Sequence, residues 1–147
     1  NFKRGVRLTF SPQIKFHGMV GGQEKLSLLN GSKGLIFPVR WHEPFGLAII
    51  ESMYFGCPVF STPYGAIPEL VPSECGVLSN NADLLIDAIN TQRFDPLYCQ
   101  QHVVDNFNAN RMAQGYVEKY EQAISGKELN SHQPYLMKEC QNLEWQQ

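Results

Sequence analysis

Two carboxylates, Glu43 and Glu51, bracket the stretch "EPFGLAIIE", and all that lies between them is apolar residues, Pro44 and Gly46. A charge within an apolar helix costs several kcal/mol unless it is paired or hydrogen-bonded. Glu51 is therefore expected to hold something. The chemistry that fits is recognition of a phosphorylated, hydroxyl-rich ligand. A helix beginning near Phe45 and Gly46 presents first-turn N–H groups without intrahelical partners, at the positive end of its dipole. Gly46 lets a bulky anion approach the backbone, so the segment reads as a diphosphate site that needs no Lys or Arg. Glu43 at the entrance would accept hydrogen bonds from hydroxyls on one side of the phosphates. Glu51, about two turns further and roughly 10 Å away by helical rise, would accept from the vicinal hydroxyls of a ribose. Such charge-assisted bonds are strong.

Spacing alone divides evenly between that reading and a plainer one. In the plainer one Glu43 complements the helix dipole and Glu51 pairs with an Arg inside the fold. Arg40 and His42 read as rim residues of the loop, and His17 as packing or strand-edge. Trp41, Phe45, Tyr54 and Phe55 read as core or pocket wall rather than as a stacking platform.

The elements that must position this segment alternate. "QIKFH" (13–17) has strand-like alternation and ends at Gly18. A short helix with Leu26, Leu28 and Leu29 on one face follows, stopping near Gly31. "GLIFPV" is a continuous apolar run of the kind found in a buried parallel strand. The loop "RWHE" leads to a helix from about Pro44, a residue suited to a first turn, to Tyr54. "CPVFST" is the next strand, "GAIPELV" a helical turn, "GVL" a brief strand and 81–90 a helix. Periodicity from Pro96 to Ile124 is helical throughout, and the last twenty residues suggest another helix. Strand and helix in alternation with short loops mean an α/β fold, a parallel sheet covered by helices.

The 147 residues, 43% hydrophobic and 18% charged, suffice for one globular domain. A net charge of −2 without a basic cluster argues against nucleic acid as a partner. No apolar run reaches the roughly 18 residues that span a bilayer. Cys57, Cys75, Cys99 and Cys140 are widely spaced and read as free thiols of a reducing compartment. Asn30-Gly31-Ser32 matches a glycosylation acceptor by chance. There is no phosphate loop, Gly-x-Gly-x-x-Gly, Gly-x-Ser-x-Gly, metal-ligand spacing or Asp-x-Asp.

"EPFGLAIIE" matches the Glu-x7-Glu motif of retaining glycosyltransferases of the GT-B fold, group 1 or family 4. "IKFHGMV", the run from Gly34 to Val71 and "NRMAQGYVEKY" resemble the same family, so the resemblance covers roughly residues 13–124. It implies a Rossmann-like parallel sheet flanked by helices, the C-terminal, nucleotide-sugar-binding half of such an enzyme. Glu43 would contact the donor sugar near the reaction centre, and the backbone at Phe45, Gly46 and Leu47 would hold the diphosphate. Glu51 would bind the ribose, and Gly18, Met19 and Val20 would lie near the base. The donor would be a UDP-, GDP- or ADP-sugar and the acceptor a glycan, lipid or small molecule, with no metal or other cofactor.

The family's basic pair, Arg and Lys, has no counterpart here, since Lys3, Arg4 and Arg7 are not assignable to it. The chain is expected to be one partial donor-binding domain over 1–147, with a core at 13–124 and a helical tail at 125–147. It would lack the N-terminal acceptor domain and be inactive alone. A cytoplasmic location follows from the resemblance, peripheral to a membrane only through the missing half. A non-catalytic nucleotide-sugar-binding module and a sugar-nucleotide epimerase of the same fold are the competing functions.

Overall fold

The computed structural model describes residues 13–130 together with 132 and 133. The chain divides into two compact units, Asn1–Gly31 and Ser32–Gln147. In the first, Gly18 adopts φ 71° and Gly22 φ 52°, and helix α1 runs over Gly22–Gly31. His17 Nδ1 lies 4.0 Å from Glu24 Oε1, both side chains being exposed. The strand expected over 13–17 does not form. Its alternation gives the segment two faces, but a strand also needs a neighbour's N–H and C=O groups, and no ladder among the described residues includes it.

The second unit runs β1 (Leu35–Phe37), α2 (Leu47–Tyr54), β2 (Val59–Ser61), α3 (Ile67–Leu70), β3 (Gly76–Leu78), α4 (Ala82–Thr91), α5 (Pro96–Asn106) and α6 (Ala109–Ile124). The three strands form a parallel sheet in the order β1-β2-β3. In register, Leu35 pairs with Val59 and Val59 with Gly76. This is the α/β architecture expected, a Rossmann-like sheet with helices on both faces.

Successive strand residues point to opposite faces, and β2 shows it. Val59 joins Ile49, Met53, Ile67, Leu70, Cys75, Cys99 and Val103 in the larger core. Its neighbour Phe60 joins Leu85 and Ala88 in a smaller one. Helices α2 and α5 thus cover one face and α4 the other. Three helices open on side-chain caps: Asn81 for α4, Asp95 for α5 and Asn108 for α6. Each supplies an acceptor to N–H groups that would otherwise have none.

Three boundaries differ from the sequence reading. Helix α2 begins at Leu47 rather than Pro44, because Gly46 sits at φ 95°, outside helical geometry. The helical stretch from Pro96 to Ile124 is two helices, divided where Asn108 turns extended and caps α6. No helix covers 125–130; the rest of the expected tail, and Cys140 with it, lies outside the described residues. The chain closes off α6 with Gly126 at φ 79° and with bonds from Gly126 N to Ala123 O and from Lys127 N to Gln122 O. That pair of bonds is a Schellman end. No residue of α6 is buried, and Met112, Tyr116, Tyr120 and Ile124, spaced four apart, are all exposed. Among the described residues no helix is long and apolar enough to cross a membrane.

The three described cysteines are free and buried. Burial pushes all three thiols up, and Cys75, also facing Cys99, rises from 9.0 to about 12. A thiol raised in the folded state keeps its proton there while the unfolded chain loses it. The stabilisation is complete below pH 9 and is lost as pH rises toward 12. Urea unfolding at pH 7 and pH 10.5 is expected to show a steeper loss of stability in the wild type than in Cys75→Ala. Parallel losses would contradict the buried, protonated thiol.

Candidate functional site

The carboxyl end of the sheet is built by hydroxyls and one glycine. Past β1 the chain turns at Pro38, where Val39 N donates to Phe37 O at 2.9 Å. Ser61 Oγ donates to the same carbonyl at 2.6 Å and Thr62 Oγ1 to Val39 O at 2.6 Å. All of Ser61 and Thr62 is buried, so these bonds satisfy carbonyls that the short ladder leaves open. The loops after β1 and β2 then meet again. Glu43 and Gly65 form an isolated parallel bridge, and Ala66 N donates to Glu43 O at 2.8 Å.

Gly65 lies at φ 69°, and a Cβ there would strike the backbone N and O of Glu43. Only glycine allows both the left-handed turn and this approach. The rings of His42 and Tyr64 meet edge to face across the same two loops, with centroids 6.4 Å apart.

The Glu43 side chain is half-buried. Its Cγ lies near Gly46, 3.5 Å from where a Cβ would be, and Trp41 Nε1 donates to its Oε2 at 2.9 Å. Gly46, the N-cap of α2, offers no side-chain cap. The N–H groups heading α2 therefore meet a carboxylate on one flank and no capping side chain of Gly46's own. Phe45 is held by an edge contact with Phe107 at 6.3 Å, and Phe107 in turn by His102 at 5.5 Å. His102 Nε2 is 3.1 Å from Leu70 O, which fastens this chain of rings to α3.

Glu51 lies on α2 away from the face formed by the buried Ile49, Ser52 and Met53. It is half-buried rather than immersed in apolar residues, so its desolvation cost is smaller than the sequence implies. Gly46 to Glu51 is about 7.5 Å of helical rise. Glu43, Phe45, Gly46, Leu47 and Glu51 therefore form one continuous loop and helix of the second unit. Gly18, Met19 and Val20 belong to the first unit; Gly18 and Met19 are exposed and Val20 is half-buried.

Trp41 is 55% exposed and Phe45 41% exposed, so of the two readings, core or pocket wall, neither residue is core. Arg40 and His42 are exposed, as rim residues would be. Sequence reasoning passed over Gly65, Trp41 and Phe107 as parts of this end of the sheet. A glycine in the loop that follows a strand's carboxyl end was a usable signal for the first. Among the described residues no three His, Cys, Asp or Glu side chains gather as a metal would require.

These features define an α/β domain whose candidate ligand site lies at the carboxyl ends of parallel strands. The chain belongs to the glycosyl transferases group 1 family, whose model matches residues 2–92, more than half of its length and inclusive of both glutamates. Glycosyl transfer, with a nucleotide-sugar donor and an acceptor, is the activity this membership implies. No curated protein matches the chain.

Replacing Gly65 tests the junction. Gly65→Ala forces a side chain into the Glu43 backbone and strains the turn, an overpacking that costs about 1–3 kcal/mol. The midpoint of urea unfolding should fall accordingly. An unchanged midpoint would show that the two loops are not locked together.

Proposed function

We propose that this chain is the donor-binding part of a retaining glycosyltransferase of the GT-B fold, moving a sugar from a nucleoside diphosphate to a glycan, lipid or small-molecule acceptor. The observation that supports this most directly is Glu43. It is fixed by its backbone to Gly65 and Ala66 and by its tip to Trp41, beside a helix N-terminus that Gly46 leaves without a side-chain cap.

On this reading the backbone N–H groups at Phe45, Gly46 and Leu47 receive the diphosphate, where the dipole favours negative charge. As the bond from sugar to phosphate breaks, negative charge gathers on the leaving diphosphate, and donors already in place stabilise it. Glu43 accepts hydrogen bonds from hydroxyls of the sugar, whose ring gains positive charge in the transition state. Glu51 accepts from the ribose hydroxyls. The reading routes no step through a metal, and EDTA should leave the rate unchanged.

A thermal-shift panel of UDP-, GDP- and ADP-sugars on the intact protein identifies the donor, since a ligand that binds the folded state raises its stability. Two variants then separate the roles. Glu51→Gln loses a charge-assisted bond, about ten- to a hundredfold in donor affinity, and should chiefly raise the donor KM. Glu43→Gln should depress kcat instead. Wild-type donor affinity in folded Glu51→Gln would refute the ribose role. Product analysis is expected to find transferred sugar; an epimerised nucleotide sugar would replace this reading.

A further inference from the structure

Trp41 carries an arrangement that the roles above do not use. It is a large apolar side chain left 55% exposed, on the loop that ends in Glu43. An exposed indole with no fixed partner would sample several rotamers. This one is tied: its only polar group, the ring N–H, donates to Glu43 Oε2 at 2.9 Å. A carboxylate offers about four lone-pair sites, so a single indole bond leaves most of them for other donors. Meanwhile the Glu43 backbone cannot swing, because Gly65 and Ala66 hold it. The carboxylate is thus anchored at both ends.

The tether also aims the ring. With its N–H engaged at the carboxylate, the indole borders Glu43 and keeps apolar surface open to solvent. A pyranose matches such a pair. Its hydroxyl edge donates to a carboxylate, while its C–H face is apolar and lies against an aromatic ring, which offers large contact area for few rotatable bonds.

We propose that Trp41 is a positioning residue for the sugar end of this site: its N–H fixes the Glu43 carboxylate, and its open indole face receives the apolar side of the pyranose. The second half rests on the donor-binding reading above; the first half does not.

The tether is tested on the intact protein without any ligand. The Trp41 indole N–H resonance, assigned by its disappearance in Trp41→Phe, should shift and its proton should exchange faster in Glu43→Ala. In Glu43→Gln, whose amide oxygen still accepts, the change should be smaller. An indole resonance unmoved in Glu43→Ala would overturn the tether. The platform is tested by titrating the nucleotide sugar found in the panel against its parent nucleoside diphosphate. The sugar nucleotide should move the Trp41 resonance and the bare diphosphate should not. Equal shifts, or none with a bound sugar nucleotide, would overturn the platform.

Kinetics separate the two contributions. Trp41→Phe keeps a ring and loses the donor, so kcat should fall about tenfold with little change in donor KM. Trp41→Ala loses both and should raise KM as well. In a Glu43→Ala background, where the indole N–H has lost its acceptor, Trp41→Phe should cost much less than it does alone. Losses that simply multiply would overturn action through Glu43. If no nucleotide sugar binds at all, the donor-binding reading fails and the platform with it, while the ligand-free comparison still decides the tether.

Discussion

The second unit depends on one close approach, the backbone of Gly65 against the backbone of Glu43. The strands are only three residues long, and a ladder that short leaves its ends poorly fixed. Pairing that stops at Phe37 and Ser61 and resumes at Glu43 and Gly65 converts two loops into an extension of the sheet. Because the contact is between main chains, no side-chain substitution at Glu43 removes it. The residue at 43 can therefore be chosen for chemistry while its position is set by residue 65. Buried hydroxyls do the rest. Ser61 and Thr62 donate to the carbonyls of Phe37, at the end of β1, and of Val39, just past it.

From that junction the remaining contacts follow in order. Gly46 can turn left-handed beside Glu43 because it has no Cβ, and the buried Ile49, whose N–H bonds back to Gly46 O at 3.0 Å, begins the buried face of α2. Met53 carries the same face one turn on, into the core with Val59 and Cys99. The rings of His102, Phe107 and Phe45 tie the far side of the loop to the junction of α5 and α6. A site on loops is thereby held by two helices and a sheet, the usual division between rigid scaffold and functional connection.

The short apolar runs of the sequence located β1, β2 and β3, although Ile36 of β1 is exposed and the buried Ser61 of β2 is polar. The expected helix over 81–90 and the helical start at Pro96 lie close to α4 and α5. What was hidden depended on conformation rather than on composition. Pro44 suits a first helical turn, but the glycine two residues later takes φ 95° and postpones the helix. Asn108 looked like one more polar position in a long periodic run, when it caps a new helix. Residues 13–17 alternate as a strand does, and alternation carries no information about a partner.

At the candidate site, the loop and helix that carry Glu43, Gly46 and Glu51 could be placed from residue type and spacing. The restraints on Glu43 could not, since Gly65 is 22 positions away and nothing in the spacing of Trp41 marks its ring N–H as a partner of Glu43. Membership of the glycosyl transferases group 1 family was legible in the same short stretch.

Helix α6 stands apart from this interlocked arrangement. Its caps at Asn108 and Gly126 are complete, yet none of its residues is buried within the described chain. Sixteen residues of local hydrogen bonding are marginal in water without tertiary packing. Such an element opens with little free energy, independently of the global transition. The unit therefore contains two levels of cooperativity: a core that melts as a whole around the β1–β2 junction, and a last described helix whose amides can exchange while that core stays folded.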